Sequence, residues 1–411
     1  MEERVSSQPA GYLLSRWGLL VLLAFLLLAA WYQQLVIVIL LGLVLSAAGL
    51  AELWSRLSLV GVHCERVLSE RRVFPGEHIE LTLKLVNRKL LPLPWVQVDD
   101  EIPAEFAPDV APAPGNRPGY GSLSKGASLL WYSQVRWRQQ LYCNKRGYYP
   151  LGPLTVTSGD IFGFYPRFLT EPQVDHIIVY PRIFPVAQLE VPSQYTLGDT
   201  RAERCIFQDP TRVIGVRDYT HHDSLRHINW KATARHQELQ VKVFEPTTTL
   251  KAALFVAVDS FNYDGSLHEA DFELAISTAA SIANYITERS SSAGLFVNTR
   301  LADTGQPAAI QPGSGTSQLI SILEALAKVT ATASGPFDDF LSAQQRTLSW
   351  GTTLIVIYSR PSASLSRLLA NLRDNGNKLL VFQVSNFESD NTGGQQVTSP
   401  EDLKALSKAM V

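Results

Sequence analysis

Cysteine is scarce: Cys64, Cys143 and Cys205 are the three among 411 residues. They form no CxxC pair and no even-numbered framework, so neither a disulfide scaffold nor a thiolate metal cluster is expected. Each thiol reads as a small apolar residue in a reducing compartment. Excess positive charge is missing as well. Thirty-six Lys and Arg face thirty-eight Asp and Glu, a net of −2, without the basic footprint that a nucleic-acid binder carries. The sequence also lacks GxSxG, Walker A, HExxH and GxGxxG motifs. Ser314 lies between glycines, but it has no triad partner and no sharply ended strand before it. The paired carboxylates Asp338 and Asp339 open a helical pattern, where they serve the helix dipole. These absences point away from an enzyme and from a cofactor.

What is present begins with an apolar N-terminus. Residues 17–32 and 35–51 are two apolar runs divided by Gln33 and Gln34. Each falls slightly short of the ~20 residues that span a bilayer, and flanking residues extend them. The pattern predicts a helical hairpin with the glutamines at the distal turn. A cleaved signal peptide is the competing reading, and the second run immediately behind the first stands against it. Arg4 and Arg16 precede the first run, while Arg56, Arg66, Arg71 and Arg72 follow the second. By the positive-inside rule both termini are expected in the cytoplasm, in a protein held in the cell membrane by two helices.

From about residue 62 to 181 the pattern is β. Residues 79–85 alternate apolar and polar side chains with period two, as a half-buried strand does. Residues 95–98 and 130–137 read as further strands, and 75–77, 148–153 and 159–163 as turns. Short strands with frequent turn signals predict a β-sandwich-like domain. Residues 185–210 read as a linker. Beyond residue 250 strands alternate with helices: strand 254–258, helix 267–289, a hairpin of 294–299 with 307–311, strands 353–358 and 378–384, and a last helix over 400–410. Such alternation implies a largely parallel sheet covered on both faces, and the hairpin adds an antiparallel edge strand. The expected organisation is a membrane anchor over 1–56, the β-sandwich-like domain over 57–184, a linker with a distinctive helix–strand segment over 185–249, and an α/β domain over 250–411.

Ligands of open α/β sheets gather at the carboxyl ends of strands, and Asp259 falls there. A von Willebrand A-like domain places Asp-x-Ser-x-Ser at this point to hold a divalent cation through oxygen ligands. Here Phe261 and Tyr263 occupy the two serine positions. Ser359 stands where a later aspartate belongs. Asp259 and Thr316 remain as weak candidates for Mg²⁺, against the plainer reading that Asp259 caps a segment or pairs with a neighbour. His221, His222, His227 and His236 invite a zinc reading, but they lack the paired spacing of zinc ligands.

The densest polar cluster lies over 217–245: Arg217, Asp218, Tyr219, Asp223, Arg226, Asn229, Trp230, Lys231, Arg235, Lys242 and Glu245. Asp223 is placed as the N-cap of a helix over 224–236, followed by a strand in which Leu239, Val241 and Val243 alternate with polar neighbours. An internal ion-pair network and a partner-recognition surface are both open readings of this segment. Gly215, Arg217, Tyr219, Asp223, Arg226, Ile228, Asn229, Trp230, Lys231, Ala234, Arg235, Leu239, Phe244 and Glu245 resemble the signature of the family of unknown function numbered 58. Residues 146–153 and 159–163 resemble its preceding region. The resemblance implies a bacterial membrane protein with a C-terminal von Willebrand A-like, Rossmann-type domain, of the kind that accompanies MoxR-type AAA+ ATPases. The expected function is a membrane-anchored cytoplasmic scaffold or adaptor for protein–protein interaction. A metal-dependent ligand-binding domain and a hydrolase working through residues 218–245 are the alternatives.

Overall fold

The computed structural model describes residues 5–7, 16–107, 113–114, 117–171, 174–186, 208–219, 228–246, 251–263, 266–349, 351–375, 377–384 and 395–396. Residues 1–182 with 326–328 form one compact unit, and 183–325 with 329–411 form a second.

The first unit opens with a short strand, β1 (Val5–Ser7), ahead of two apolar helices, α1 (Arg16–Trp31) and α2 (Leu35–Ser58). Gln33 takes φ 53° in the turn between them. A Cβ added to Gly42 would lie 4.0 Å from Leu26 Cδ1, so the helices touch there. The 24 residues of α2 have a mean hydropathy of 2.5 over their most apolar window, of which 11% is buried, so this helix is long and apolar enough to cross a membrane. At about 1.5 Å per residue α2 is roughly 36 Å long, against about 30 Å for a hydrocarbon core. The apolar stretch Trp17–Trp31 of α1 is shorter.

Behind the helices come β2 (Val62–Leu68), β3 (Arg72–Val73), β4 (Glu77–Asn87), β5 (Leu93–Pro103), β6 (Ala113–Pro114) and β7 (Tyr120–Leu129). They continue as β8 (Gln134–Cys143), β9 (Gly147–Leu151), β10 (Leu154–Ser158), β11 (Arg167–Glu171) and β12 (Asp175–Val179). One sheet runs β1-β11-β10-β5-β7-β6, a second β2-β4-β8 and a third β3-β12-β9. All pairs are antiparallel except β3 with β12. Period-two patterning sends Ile79, Leu81, Leu83 and Leu85 of β4 inward, where they share one core with Val96, Val98, Leu123 and Val156 from the largest sheet. Cys64 and Cys143 are free and lie in that core. Burial pushes both thiols up to about 12.

Two expectations fail here. Residues 130–133 form a turn between β7 and β8 rather than a strand, and residues 147–151 form β9 rather than a turn. In both places aromatic residues gave a misleading signal. Trp131 and Tyr132 have the side chains of a strand, yet they are exposed at a bend where Tyr132 takes φ 50°. Tyr148 and Tyr149 sit among turn residues, yet their backbone pairs with Ile178 and Ile177.

The second unit starts with a two-stranded ribbon, β13 (Gln208–Asp218) and β14 (Gln240–Pro246), with the short helix α3 (Trp230–His236) between its strands. The α/β part follows as β15 (Lys251–Val256), the small pair β16 (Asn262–Tyr263) and β17 (Ser266–Leu267), α4 (Glu269–Glu288), β18 (Ser292–Leu301) and β19 (Pro307–Gly313). It continues with α5 (Thr316–Lys328), β20 (Val329–Ala333), α6 (Phe337–Gln345), β21 (Thr353–Tyr358), α7 (Ala363–Asp374), β22 (Leu379–Gln383) and β23 (Gln395–Gln396). The main sheet has the order β19-β18-β15-β21-β22-β23. It is parallel except for its edge strand β19, which returns antiparallel beside β18, and for β20, which pairs antiparallel with the far end of β18. All six residues of β21 are buried, as a strand covered on both faces requires. The helix expected over 400–410 lies outside the described residues.

Candidate functional site

In an open α/β sheet, successive crossovers that leave a central strand in opposite directions open a crevice at its carboxyl end. Here β15 is that strand: the chain goes on to β18 on one side and later takes up β21 on the other. A cleft of about 220 Å³ lies at this point, lined by residues of the turn after β15, the start of α6 and the segment between β21 and α7. Its polar groups come from Asp259, Ser260, Asn262, Tyr263, Asp338, Arg360 and Ser362.

Most of these groups are already committed within the fold. Asp259 Oδ1 accepts from Asn298 Nδ2 at 2.9 Å, and Oδ2 accepts from the Phe337 backbone N–H at 3.1 Å. Its carboxylate therefore caps the first turn of α6, which satisfies an N–H that the helix leaves open and faces the positive end of its dipole. Asn298 is the buried organiser: its Oδ1 accepts from Val258 N–H at 2.7 Å, and its Nδ2 also reaches Gly335 O at 3.1 Å. Its backbone carbonyl accepts from both the N–H and the hydroxyl of Ser334. The Ser260 hydroxyl donates to Ala257 O at 2.6 Å and accepts from Ser359 N–H at 3.0 Å, which leaves it poorly disposed to act as a nucleophile. Ser362 caps α7 by accepting from Leu365 N–H at 3.0 Å. Tyr263 is buried, stacks on His268 at 3.8 Å between ring centroids and reaches Asp271 at 3.2 Å. Phe261 is buried edge-on against Phe272.

The residues present do not fit a von Willebrand A-type cation site. The two positions that need serine hydroxyls hold core aromatics, and both oxygens of Asp259 face protein N–H donors. Thr316 lies at the other end of the sheet. The β18–β19 hairpin reverses the chain, so that Gly313 pairs with Ala293 near the start of β18 while Val256, which leads to Asp259, pairs with Val297. Gln318, two residues into α5, donates to Ala293 O at 2.9 Å and fixes α5 at that end. Asp259 and Thr316 are thus not brought together. No cluster of three or more His, Cys, Asp or Glu suited to a metal occurs among the described residues. His221, His222 and His227 lie outside them, and His236 ends α3.

The segment over 217–245 is organised differently from its sequence reading. Ile228 bridges to Val241, and helix α3 begins only at Trp230, where Asn229 Oδ1 accepts from Ala232 N–H at 3.3 Å as the N-cap. The helix expected from residue 224 therefore starts later, because residues 228 and 229 are held in the ribbon by Val241 and by the bond from Asn229 N–H to Gln240 O. Asp223 and Arg226 lie outside the described residues, and Glu245 is within β14. The hub is Gln240, which is buried: its Nε2 donates to Asp218 Oδ1 at 2.6 Å and its backbone N–H to Thr233 Oγ1 at 3.1 Å. Arg217 Nη1 donates to Asp218 O at 3.1 Å, and Tyr219 N–H to Leu239 O at 2.8 Å. Trp230, Lys231 and Arg235 are exposed along α3, with Trp230 70% accessible. Sequence reasoning missed both Gln240 and Asn298, since each looked like a polar residue in an ordinary strand.

The class defined by this geometry is an α/β unit with a cleft at its switch point and a helix-bearing ribbon ahead of it. Residues 215–346 match the model of the family described as protein of unknown function DUF58. The match takes in Asp259, Asn298 and Asp338 but ends before Arg360 and Ser362. A relative, the uncharacterised protein YeaD of Bacillus subtilis, is 24% identical over 232 residues, which are 56% of this chain and 54% of the relative. The chain thus matches about half the length of that relative. Solved structures with partial likeness include a CARDB domain from Pyrococcus furiosus (12% identity, 29% of this chain and 91% of that one, TM-score 0.20). The sporulation control protein Spo0M of Bacillus subtilis is another (9% identity, 29% and 49%, TM-score 0.17). Likenesses at these scores bear on neither the fold nor the function.

Proposed function

We propose that this protein is a membrane-anchored scaffold or adaptor whose cytoplasmic part binds other proteins. The observation that carries the anchor is α2: 24 residues of high hydropathy, almost unburied by the rest of the fold. Apolar surface on that scale is stable only when something removes it from water, and the bilayer does so. The pairing of β1 with β11 supports two crossings with both termini on one side. β1 precedes α1, β11 follows α2, and the two are hydrogen-bonded neighbours in one sheet. The positive-inside rule makes that side the cytoplasm. The order of the α/β sheet, with its antiparallel edge strand, supports a von Willebrand A-like, Rossmann-type unit.

Binding rather than chemistry is favoured by the cleft, where Asp259, Ser260 and Ser362 hold helix ends and turns in place. The partner that the family resemblance suggests is a MoxR-type AAA+ ATPase, met through the α3 surface of Trp230, Lys231 and Arg235; Arg226 precedes Trp230 by four positions in the sequence. Co-purification of the full chain from native membranes tests this. The wild type is expected to recover such an ATPase, and a folded Arg226→Ala/Trp230→Ala/Arg235→Ala variant to lose it. Equal recovery by both would remove the α3 interface from consideration.

A further inference from the structure

Three turns of the first unit crowd around the C-terminal end of α2. The first, residues 88–92, is tied to the helix by Lys89, whose Nζ donates to Leu57 O at 2.6 Å and also to Ser58 O. The second, residues 130–133, leans on the first through Tyr132 N–H to Lys89 O at 3.2 Å and through Asn87 Nδ2 to Leu130 O at 2.9 Å. The third, residues 159–166, meets α2 where Ser55 Oγ donates to Tyr165 O at 2.5 Å and accepts from Arg167 Nε at 3.2 Å. Each turn points large apolar side chains into open space: Leu90 is 73% accessible, Trp131 57%, Tyr132 67% and Phe162 66%, with Ile161 and Phe164 beside it.

This exposure is enforced by the fold. The buried Asp160 carboxylate accepts from Phe162 N–H at 3.0 Å and Tyr165 N–H at 2.7 Å, while Asp160 O accepts from Trp95 Nε1 at 2.9 Å. The turn is therefore locked in the shape that holds Ile161 and Phe162 outward. Between it and α2 lies a cleft of about 440 Å³, lined on the helix by Ala47, Leu50, Ala51 and Trp54 and on the turn by Ile161 and Phe162. The Trp54 indole N–H beside it is buried and has no partner among the described residues.

The level of these turns on α2 says what covers them. The apolar run of α2 ends at Ala51, and Glu52 and Arg56 pair at 2.6 Å just beyond it. Ala47 is five residues before Glu52, about 7.5 Å deeper along the helix. Ile161 and Phe162 share a cleft with Ala47, so the third turn reaches past the charge boundary to the depth of the apolar run. Aromatic residues gather where hydrocarbon meets headgroups, with their apolar bodies in one and their polar tips in the other.

We propose that this end of the first unit is seated in the interfacial layer of the membrane, with the apolar collar of Leu90, Trp131, Tyr132, Ile161, Phe162 and Phe164 inserted and lipid acyl chains filling the cleft beside α2. The proposal rests on the anchor reading above and adds that the β-sheet unit sits on the bilayer rather than standing off it. The test uses the full chain in phosphatidylcholine nanodiscs, with a bimane label at Trp131→Cys, Phe162→Cys or, as control, Lys145→Cys in the exposed segment after β8, all in a Cys205→Ser background. Lipids brominated on their upper acyl carbons are expected to quench labels 131 and 162 several-fold more than label 145, and aqueous iodide to do the reverse. If iodide quenches all three alike while the chain survives carbonate washing of membranes, the collar is overturned and the anchor stands. Release of the chain by carbonate overturns both. Cross-linking between 162 positions of two copies without lipid quenching overturns the proposal in favour of self-association.

Discussion

Arg66 shows how far a residue's role can depart from its place in the sequence. As one of several arginines behind the second apolar run it reads as a surface charge that orients the protein in the membrane. In the fold its side chain is 4% exposed. Its guanidinium bonds both oxygens of Asp100, with Nε to Oδ2 at 3.0 Å, and Nη1 reaches Leu151 O at 3.2 Å and Asp175 Oδ2 at 3.4 Å. Arg71 closes the group on Asp175 Oδ1 at 3.1 Å. Burial pushes the Asp100 carboxyl up, the bonds and charge of Arg66 pull it back, and Asp175 and Glu101 add to the rise. Gly152 makes room for the cluster: its φ is +98°, and a Cβ there would lie 2.9 Å from Arg66 Nη2. The partners of Arg66 are 34 and 109 positions away, beyond any local pattern, so nothing in the sequence revealed the cluster. Breaking a buried pair strands the remaining charge, which costs about 3–5 kcal/mol. Asp100→Asn and Arg66→Met are each expected to lower stability by that order in denaturant titration of the full chain in detergent. A loss too small to measure would mean that water reaches the group.

At the scale of elements, local periodicity was a sound guide and connectivity was not. The alternation of residues 79–85, the helical spacing that became α4, and the hairpin of 294–299 with 307–311 all appear where the pattern put them. Asp259 was legible as a residue at a strand's carboxyl end, and the plainer of its two readings, a capping or pairing carboxylate, is what the structure shows. Its true partners were not legible, because Asn298 and Phe337 reach it from elements 39 and 78 positions away. Thr316 was misplaced for a related reason: reading the loops in order assumes that each crossover returns to the same end of the sheet, and one antiparallel strand sends the next loop to the opposite end. A capping role makes a definite prediction. Asp259→Ala leaves the Phe337 N–H and an Asn298 donor without acceptors, at about 1–3 kcal/mol each, so its melting temperature should fall clearly below that of the wild type. Millimolar Mg²⁺ or Mn²⁺ should leave the wild-type melting temperature unchanged; a rise with metal that the variant lacks would restore the cation reading.

Taken whole, the chain has two kinds of surface. The α/β unit encloses its central strands, with β15 and β21 almost wholly buried. The first unit leaves α2 and a rim of turns uncovered. The apolar character of α2 was legible from composition alone. The rim did not announce itself, since Leu90, Trp131 and Phe162 are scattered through the sequence and meet only through sheet topology. Removing β1 tests how tightly the two parts are joined. A chain lacking residues 1–7 keeps α1 and α2 and is expected to stay in carbonate-washed membranes, while its first unit becomes easier to cleave by protease at the exposed edge of β11. Loss from the membrane would show that β1 is needed for insertion itself.

The β1–β11 pair also fixes an order of events. Ser7 faces Arg167 across the ladder, yet 160 positions separate them, so the first strand made has no partner until most of the first unit has been synthesised. If the proposed two-helix anchor holds, that strand must wait on the side where the sheet will form while both helices enter the lipid. On that reading, the docking of β11 clasps the loop through the bilayer at both ends. Inverting either helix afterwards would first require that strand to be torn from its sheet.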